Sequence, residues 1–379
     1  MHKRKLLEKT LVSLTSAFFL CQKGLINLKY EKPRPFVPLN EQLRIIRERH
    51  NISTNEENPL VDELTLLNYS YYTLINGYQR ALEKSPNSEQ FIDGISLNLL
   101  SSINFIETEI SSSLLHSILI VEKMFKTSLQ YEVSYSFGEK QQDYLNPSNY
   151  RKKKYGKSRI EVINFLLKLA TGYIHGETDN PRKRVVDEYV SKSTKEYRKT
   201  GNVPPWILVN ELTFSQVLYW YEILPTESKE RVIKSFALSR FFANNADQLE
   251  FFKQSMMLIR DFRNGLAHGD VLNKISPRVD TNLGKLNTVF KGNEAIITNS
   301  EYNAGIGKHD LYALIMTLSI MLNYSPARII LVMNLKRFFS ELDNLMRINE
   351  APMRRLLGIP QNIFDRMDAI TNSLDPNTK

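Results

Sequence analysis

The chain has 379 residues, of which 42% are hydrophobic and 24% are charged, and its formal net charge is +9. This balance is typical of a globular protein with one large domain or two, and it excludes collagen-like and low-complexity proteins. The one cysteine, Cys21, excludes a disulfide framework and a cysteine-based zinc site, and it favours a reducing, cytoplasmic location.

The N-terminal segment has the basic start and apolar run of a signal peptide but not its uninterrupted apolar region or cleavage site. The basic residues Lys3–Lys5 precede an apolar run, Leu11–Cys21. Ser13, Thr15 and Ser16 interrupt this run, and no cleavage site of small residues follows it. We therefore predict an N-terminal helix. We expect no membrane association, because no segment reaches the roughly 20 apolar residues of a spanning helix.

Apolar residues at spacings of three and four, the period of an amphipathic helix, dominate the rest of the chain. Asn245 and Gln248 are expected to form a capping box at the start of one helix. The pattern predicts an all-α fold. The predicted helices are 39–50, 88–137, 159–172, 206–223, 227–242, 246–267, 309–324 and 326–348.

Two segments do not fit a helix. Residues 138–157 are rich in turn-forming residues and are predicted to be a loop. Lys291–Asn293 are predicted to form the turn of a small hairpin, with Val289–Phe290 and Ile296–Ile297 as its arms. The predicted organisation is an N-terminal helical region (1–85), a main helical domain (86–350) with a basic insertion (about 138–202) and an irregular insertion (about 270–306), and a C-terminal helix or tail (351–379).

Positive charge is concentrated in residues 149–202, which contain 14 Lys and Arg against 6 Asp and Glu. A localised basic surface favours a polyanion such as RNA, and a solvated lysine-rich loop is the alternative. Two clusters are expected to contact RNA phosphates. They are Arg151, Lys152, Lys153 and Lys154, and Arg182, Lys183 and Arg184.

The aromatic residues allow two interpretations. Tyr69, Tyr71, Tyr72 and Tyr78 could stack on RNA bases, but such a run more often packs beneath a helix with its hydroxyls hydrogen-bonded. We expect core packing for these tyrosines and for Trp206.

The segment Arg263–His268 offers the clearest chemistry, because it places an arginine, a polar residue and a histidine at the end of an apolar helix. Cleavage of RNA by its own 2′-OH needs a base, an acid and charge stabilisation on the phosphorane. Histidine transfers protons near neutral pH, and arginine presents a planar fork of donors to phosphate oxygens. We predict catalysis without a metal or cofactor, with His268 as acid or base, Arg263 on the phosphate and Asn264 as the positioning residue. Gly269 is expected to end the helix.

Helix geometry restricts how these residues act together. Asn264 and His268 are only about 40° apart around a helix, and Arg260, a supporting residue, lies a further four positions back. Arg263 and His268 are about 140° apart. Either the helix distorts near Gly265, or Arg263 reaches around its edge, or a second copy completes the site across a dimer axis.

The bare pattern is weakly specific, since a chain of this composition supplies roughly one match by chance. Arg44 and His50 form such a match on a charged helix, and we discount it because no polar residue follows the arginine. His268 also has a simpler interpretation, as a histidine near the negative end of a helix dipole.

Five groups of residues, in order along 32–350, combine into a more specific pattern. They are Lys32-Pro33 with Leu39–Leu43, Leu67–Tyr72 with Asn76–Tyr78, Ile120–Lys123 with Tyr131–Ser134, Pro205–Ile207 with Asn210–Phe214, and Arg263-Asn264 with Ala267-His268. This order resembles the Abi family of bacterial abortive-infection proteins, of the AbiD/AbiF type, which carry a HEPN (higher eukaryotes and prokaryotes nucleotide-binding) domain.

The resemblance implies a HEPN-type helical bundle with an N-terminal helical extension, acting as a ribonuclease of phage defence. It also implies a homodimer through the HEPN helices and an antitoxin partner, either a structured RNA or a protein. Glu122 matches a polar position of the family, where it either orients the motif or is a plain surface residue. The chain departs from the family at Gly269-Asp270, where a second histidine and a nearby arginine often follow. It departs again at Thr73–Ile75, where an arginine is usual.

Three functions remain open from the sequence. The first is a metal-independent endoribonuclease acting on RNA. The second is a non-catalytic RNA-binding HEPN protein that uses the basic segment. The third is a toxin that acts through protein contacts.

Overall fold

The computed structural model describes residues 36–152, 156–172, 190–322, 326–346 and 356–375. Contacts between Cα atoms divide the chain into two units, 1–42 and 43–379. In the first unit only residues 36–42 are described, and they lead into a helix that begins at Leu39. The second unit contains the residues discussed below.

The described residues are mainly helical and contain no β-strand, only isolated bridges such as Ser53 with Ser96. This confirms the predicted all-α fold. The first eight helices are α1 (Leu39–Glu48), α2 (Pro59–Tyr69), α3 (Gly77–Leu82), α4 (Leu97–Phe137), α5 (Gln141–Tyr144), α6 (Arg159–Thr171), α7 (Lys192–Lys199) and α8 (Pro205–Leu208). The next eight are α9 (Phe214–Ile223), α10 (Thr226–Ile233), α11 (Asn245–Ala267), α12 (Leu283–Val289), α13 (Asn299–Asn303), α14 (Leu311–Met321), α15 (Pro326–Met346) and α16 (Ile363–Leu374).

The long helix α4 is the element against which much of the fold packs. The Ser96 side chain accepts a hydrogen bond from the Leu99 amide at its start, and Gly138, with φ +84°, follows its end. Its 41 residues span about 60 Å. Helices α8, α10, α11 and α15 all pack against it. Helix α4 therefore fixes the positions of several neighbouring helices and their side chains.

An aromatic cluster fixes α11 against α4. Phe125 of α4 has its ring centroid 5.3 Å from that of Phe252 of α11 and 5.5 Å from that of Tyr221 of α9. The rings meet edge to face, the arrangement that aromatic quadrupoles favour. All three side chains are buried, so the N-terminal half of α11, which leads to the Arg263–His268 segment, is held by the core.

Helix α14 lies within the core. Every residue from Leu311 to Met321 is buried, and the helix packs on α4, α11 and α16. Asp310 caps it by accepting a hydrogen bond from the Ala313 amide at 2.8 Å. A helix that is apolar on all sides is stable only when neighbours cover it completely, and this burial supports α11 from the side opposite to solvent.

Two predicted helices are interrupted. The prediction 206–223 is wrong in its middle, because Thr213 and Gln216 form a capping box that starts α9 anew. The prediction 227–242 ends early, because Ala237 adopts φ +49° between two 3₁₀ turns. Both interruptions arise from local capping and turn geometry, which apolar spacing alone does not reveal.

The expected capping residue of α11 is displaced by one position. Asn244, not Asn245, accepts the hydrogen bond, from the Asp247 amide at 2.7 Å. Trp206 is also not the core residue expected, since 40% of it is exposed. The buried tryptophan is Trp220, whose indole N–H donates to the Tyr150 hydroxyl.

The predicted hairpin around Lys291–Asn293 is wrong. Val289 ends α12, Ile296 lies in a turn and Ile297 has no regular secondary structure. Leu286 and Val289 are buried at helical spacing, and buried Phe290 directly follows the helix, so the residues predicted as the first strand arm end a short helix instead. The Asn282 side chain caps that helix.

Candidate functional site

The end of α11 is a regular helix terminus. Gly269, with φ +74°, follows the capping residue His268. The Asp270 amide donates to the Gly265 carbonyl at 3.0 Å, and the Gly269 amide donates to the Leu266 carbonyl at 3.1 Å. These two bonds define a Schellman motif. The prediction that Gly269 ends the helix is confirmed.

The helix does not distort at Gly265. It stays α-helical through Ala267, and His268 keeps near-helical dihedrals. Gly265 serves packing instead, because an added Cβ would lie 2.7 Å from Cγ1 of Ile275. The first of the three alternatives for joining Arg263 and His268 is therefore wrong.

Arg263 faces a buried carboxylate on α4. Its Nε lies 3.9 Å from Oε2 of Glu122, and Oε1 of Glu122 is 2.9 Å from the ammonium of Lys126. Glu122 is buried, with 8% of its side chain exposed, whereas 34% of the Arg263 side chain is exposed. The interpretation of Glu122 as a plain surface residue is wrong, because the residue contacts the motif from the core.

The Arg263–Glu122 pair is loose. The 3.9 Å separation is too long for a hydrogen bond. Among the described residues, neither Nε of Arg263 nor Oε2 of Glu122 has a hydrogen-bond partner. Each such buried atom costs about 1–3 kcal/mol. The pair is thus poorly explained by stability, and it leaves part of the guanidinium available to a ligand.

Asn264 and His268 are exposed at the end of α11. Because the helix is continuous, the two side chains lie about 40° apart on one face. Arg263 points its guanidinium toward α4 from a different direction, about 140° from His268 around the axis. One chain therefore supplies a polar pair and a cation at the same helix end, on different faces of the helix.

Arg260 does not join Glu122, Arg263 and Lys126. Its Nε and Nη2 both donate to Oδ1 of Asp261, at 2.9 and 2.7 Å. Oδ2 of Asp261 accepts the Arg278 amide. The guanidinium of Arg260 is thus engaged by its neighbour, and the structure does not bring it to Glu122.

The discounted pair Arg44 and His50 is structural. His50 is buried, with its ring nitrogens 2.8 Å from the Glu89 carbonyl oxygen and 2.6 Å from the Tyr71 hydroxyl. Arg44 pairs with Glu48 on its own helix. The tyrosine segment divides accordingly: Tyr78 is hydrogen-bonded in the interior, half-buried Tyr71 is bonded to His50, and 68% of Tyr72 is exposed.

Sequence reasoning missed a second buried glutamate, Glu107. Its carboxylate accepts hydrogen bonds from the Tyr78 hydroxyl and from the Leu272 amide, just beyond the motif helix. Asn104 Nδ2 donates to the same hydroxyl at 2.8 Å. Glu107 therefore joins the tyrosine segment, α4 and the chain after His268. The signal was present in the sequence, since Glu107 lies at helical spacing between the apolar Ile103 and Ile110.

Burial raises the pKa of Glu107 to about 7, and the hydrogen bonds from Tyr78 and Leu272 oppose this rise. Burial likewise raises the pKa of Tyr78 well above its ordinary value, so this hydroxyl remains a donor. The carboxylate is thus charged or neutral depending on conditions close to neutral pH.

The chain was compared with known proteins. The model of one family, described as Abi-like protein, matches residues 64–273, more than half of the chain. The chain belongs to the Abi-like protein family. No curated protein and no solved structure gives a significant match. Membership in this family supports a role in abortive infection, a form of phage defence.

The matched region of this Abi-like protein includes both buried glutamates and the residues that they contact. Tyr78, Glu107 and Leu272 all lie within 64–273, as do Glu122 and Arg263. The match ends one residue beyond Leu272. The family model therefore spans the whole of the motif helix and both of these glutamates.

Only part of the basic segment of this Abi-like protein can be placed. Arg151 and Lys152 are exposed, and Nη1 of Arg151 donates to the Thr226 hydroxyl at 2.6 Å. Lys153, Lys154, Arg182, Lys183 and Arg184 lie outside the described residues.

The described part of the chain has neither a candidate metal site nor a membrane-spanning helix. No group of three or more His, Cys, Asp or Glu side chains there could hold a metal ion. No helix there combines the length and apolar character needed to cross a membrane.

Proposed function

We propose that this Abi-like protein is a metal-independent endoribonuclease of the HEPN type, of the AbiD/AbiF kind, acting in phage defence. One observation carries the proposal: Arg263, whose guanidinium faces buried Glu122, lies at the same helix end as the exposed side chains of Asn264 and His268. These are the residue types that 2′-OH attack on RNA requires.

In this proposal each residue has one role. His268 removes the proton from the 2′-OH or supplies one to the leaving 5′ oxygen. Arg263 stabilises the charge that develops on the phosphorane, because its planar fork matches two phosphate oxygens. Asn264 positions the phosphate through its amide. The products are a 2′,3′-cyclic phosphate and a 5′-OH, and none of these steps requires a metal.

The geometry of α11 favours a site built from two copies. A continuous helix keeps Arg263 and His268 about 140° apart, so one chain aims them in different directions. A two-fold axis close to the helix end would bring two arginines and two histidines into one cleft. We propose a homodimer through the HEPN helices for this reason.

RNA binding outside the catalytic centre is proposed to come from the basic segment 149–202. Exposed Arg151 and Lys152 are the described members of its two phosphate-contact clusters. Phosphate contacts of this kind position RNA without reading its sequence. A neutralising antitoxin, either a structured RNA or a protein, is proposed to cover the same surface.

Cleavage of total RNA in the presence of EDTA tests the proposal. Wild-type protein should degrade RNA to fragments that end in a 2′,3′-cyclic phosphate, and His268→Ala should lose this activity. If both proteins bind RNA but leave it equally intact, the protein is an RNA-binding protein without this chemistry. If toxicity in cells survives His268→Ala, the toxin acts through protein contacts instead.

A further inference from the structure

A cleft of about 160 Å³ lies beside the end of the motif helix. One wall comes from α4, with Asn104 and Ser111, and the other from the chain that follows the motif, with Leu266, Gly269 and Asp270. His268 lies between Leu266 and Gly269 in the chain, although its side chain is not part of the lining. The cleft is therefore adjacent to the proposed catalytic centre and distinct from it.

The floor of the cleft is fixed. Glu107 lines it and is 3% exposed, with both carboxylate oxygens engaged by the Tyr78 hydroxyl and the Leu272 amide. Asn104 also lines it, and its Nδ2 donates to that hydroxyl. This assignment of donors leaves Oδ1 of Asn104, a residue that lines the cleft, as an acceptor held in place by the bond that Nδ2 makes. A preorganised acceptor of this kind loses little entropy on binding.

The lining favours a particular kind of ligand. Among the described residues, none donates a hydrogen bond to Oδ1 of Asn104 or pairs with the carboxylate of Asp270. No Lys, Arg or His lines the cleft, so a phosphate has no counter-charge there. Leu115, Leu266 and Val271 supply an apolar surface. A ligand with a flat apolar face and N–H donors at its edge is complementary to this arrangement.

We propose that this cleft binds one RNA base beside the scissile phosphate and prefers bases with an amino group, adenine, cytosine or guanine, over uracil. The inference rests on the proposed ribonuclease function. Carboxylate and amide oxygens accept hydrogen bonds from exocyclic amino groups, each of which offers two N–H donors. Uracil offers one N–H on its base-pairing edge, between two carbonyl oxygens that repel these acceptors. The volume of about 160 Å³ is smaller than the roughly 300–1,000 Å³ of pockets for drug-sized ligands, so it suits a single base.

The experiment has two readouts. Cleavage of a randomised RNA pool, followed by sequencing of the new ends, gives base frequencies next to the cut. Fluorescence anisotropy of short A, C and U oligonucleotides on the His268→Ala protein gives base preference without cleavage. In both readouts, the base frequency next to the cut and the affinity for the oligonucleotide, bases with an amino group should exceed uracil about tenfold. This is the effect expected of one hydrogen bond to a charged group. Asp270→Ala, which removes the exposed acceptor, and Ser111→Phe, which fills the cleft, should each bring the ratio close to one.

The matched control is Glu109→Gln, which removes an exposed charge from the same helix outside the lining and should keep the wild-type ratio. If RNA is cleaved with the same base frequencies by wild type and Asp270→Ala, the base-binding cleft is overturned while the nuclease stands. If no RNA is cleaved but the binding ratio is present and depends on Asp270, the nuclease fails and the cleft stands. A wild-type binding ratio near one overturns the cleft.

Discussion

Oε2 of Glu122, inside the central helix α4, lies 3.9 Å from Nε of Arg263 at the end of α11, and neither atom has a hydrogen-bond partner among the described residues. The contact connects the core of the bundle to the proposed catalytic arginine. A pair that is close enough to attract but too far apart to hydrogen-bond orients the guanidinium without occupying all of its donors.

Glu122→Gln should therefore lower RNA cleavage about 10–100-fold, because Arg263 loses the charge that directs it toward the phosphate. RNA affinity should change little, since the arginine and the basic segment remain. Single-turnover cleavage and anisotropy measured on the same preparations separate the two effects. Glu109→Gln is the matched control on the same helix and should behave as wild type. A loss of binding equal to the loss of cleavage would show that Glu122 supports the fold and not the position of Arg263.

Gly265→Ala should destabilise the protein by about 1–2 kcal/mol, although alanine is the better helix former by about 1 kcal/mol. The reason is that the new Cβ would lie 2.7–2.9 Å from Cγ1 and Cδ1 of Ile275. Urea denaturation measures the change in free energy of unfolding. In an Ile275→Ala background the same substitution should cost less or become stabilising. Equal costs in the two backgrounds would mean that Ile275 is not the obstacle.

The stability of the fold should decline as pH rises from about 4.5 to about 7. Burial raises the pKa of Glu107 to about 7 in the folded chain, above its ordinary value of 4.5. A raised pKa means that the folded state binds the proton more tightly, so the stabilisation is complete below pH 4.5 and is lost as pH passes 7. The contribution of Glu107 to the free energy of unfolding should fall by about 3 kcal/mol across this range.

Glu107→Gln should remove this decline, because glutamine stays neutral at every pH. The free energy of unfolding measured by urea at pH 5, 6, 7 and 8 gives the slope for each protein. Exposed Glu109→Gln should retain the wild-type slope. An unchanged slope in Glu107→Gln would assign the pH dependence to another group.

Mixing two inactive variants tests the shared site. Arg263→Ala and His268→Ala are each expected to be inactive. If the site draws its arginine from one copy and its histidine from the other, exchanged mixtures should recover about a quarter of wild-type cleavage, since half of the dimers are mixed and each regains one of two arrangements. No recovery after verified subunit exchange would place both residues in one chain.

The variant with Lys152, Lys153 and Lys154 all changed to Ala should bind RNA more weakly and with less dependence on salt. Removing three phosphate contacts to single-stranded RNA lowers the slope of log K against log salt by about 2. Anisotropy at 50–300 mM salt measures the slope. An unchanged slope would mean that this basic cluster does not contact RNA.

Patterns local in the sequence predicted much of this fold. Apolar residues at helical spacing identified α11 and α15 to within a few residues. They also identified α4, which begins nine residues later than predicted. Gly269 was correctly predicted to end α11, because a glycine in the left-handed region closes a helix wherever it occurs. The interruption at Thr213 and the helix α12 were missed, since capping bonds and burial on one face, not composition, produce them.

The sequence by itself determined the residue types of the site: Arg263, Asn264 and His268 at one helix end, with their angular spacing fixed by the helix. Only the tertiary structure decided what surrounds them. Burial of Glu107 and Glu122 depends on which face of α4 is covered by other helices, and a single amphipathic pattern cannot specify its partner. Those two carboxylates, brought in by long-range packing, connect the motif helix to the core, and Glu107 also forms the floor of the cleft beside it.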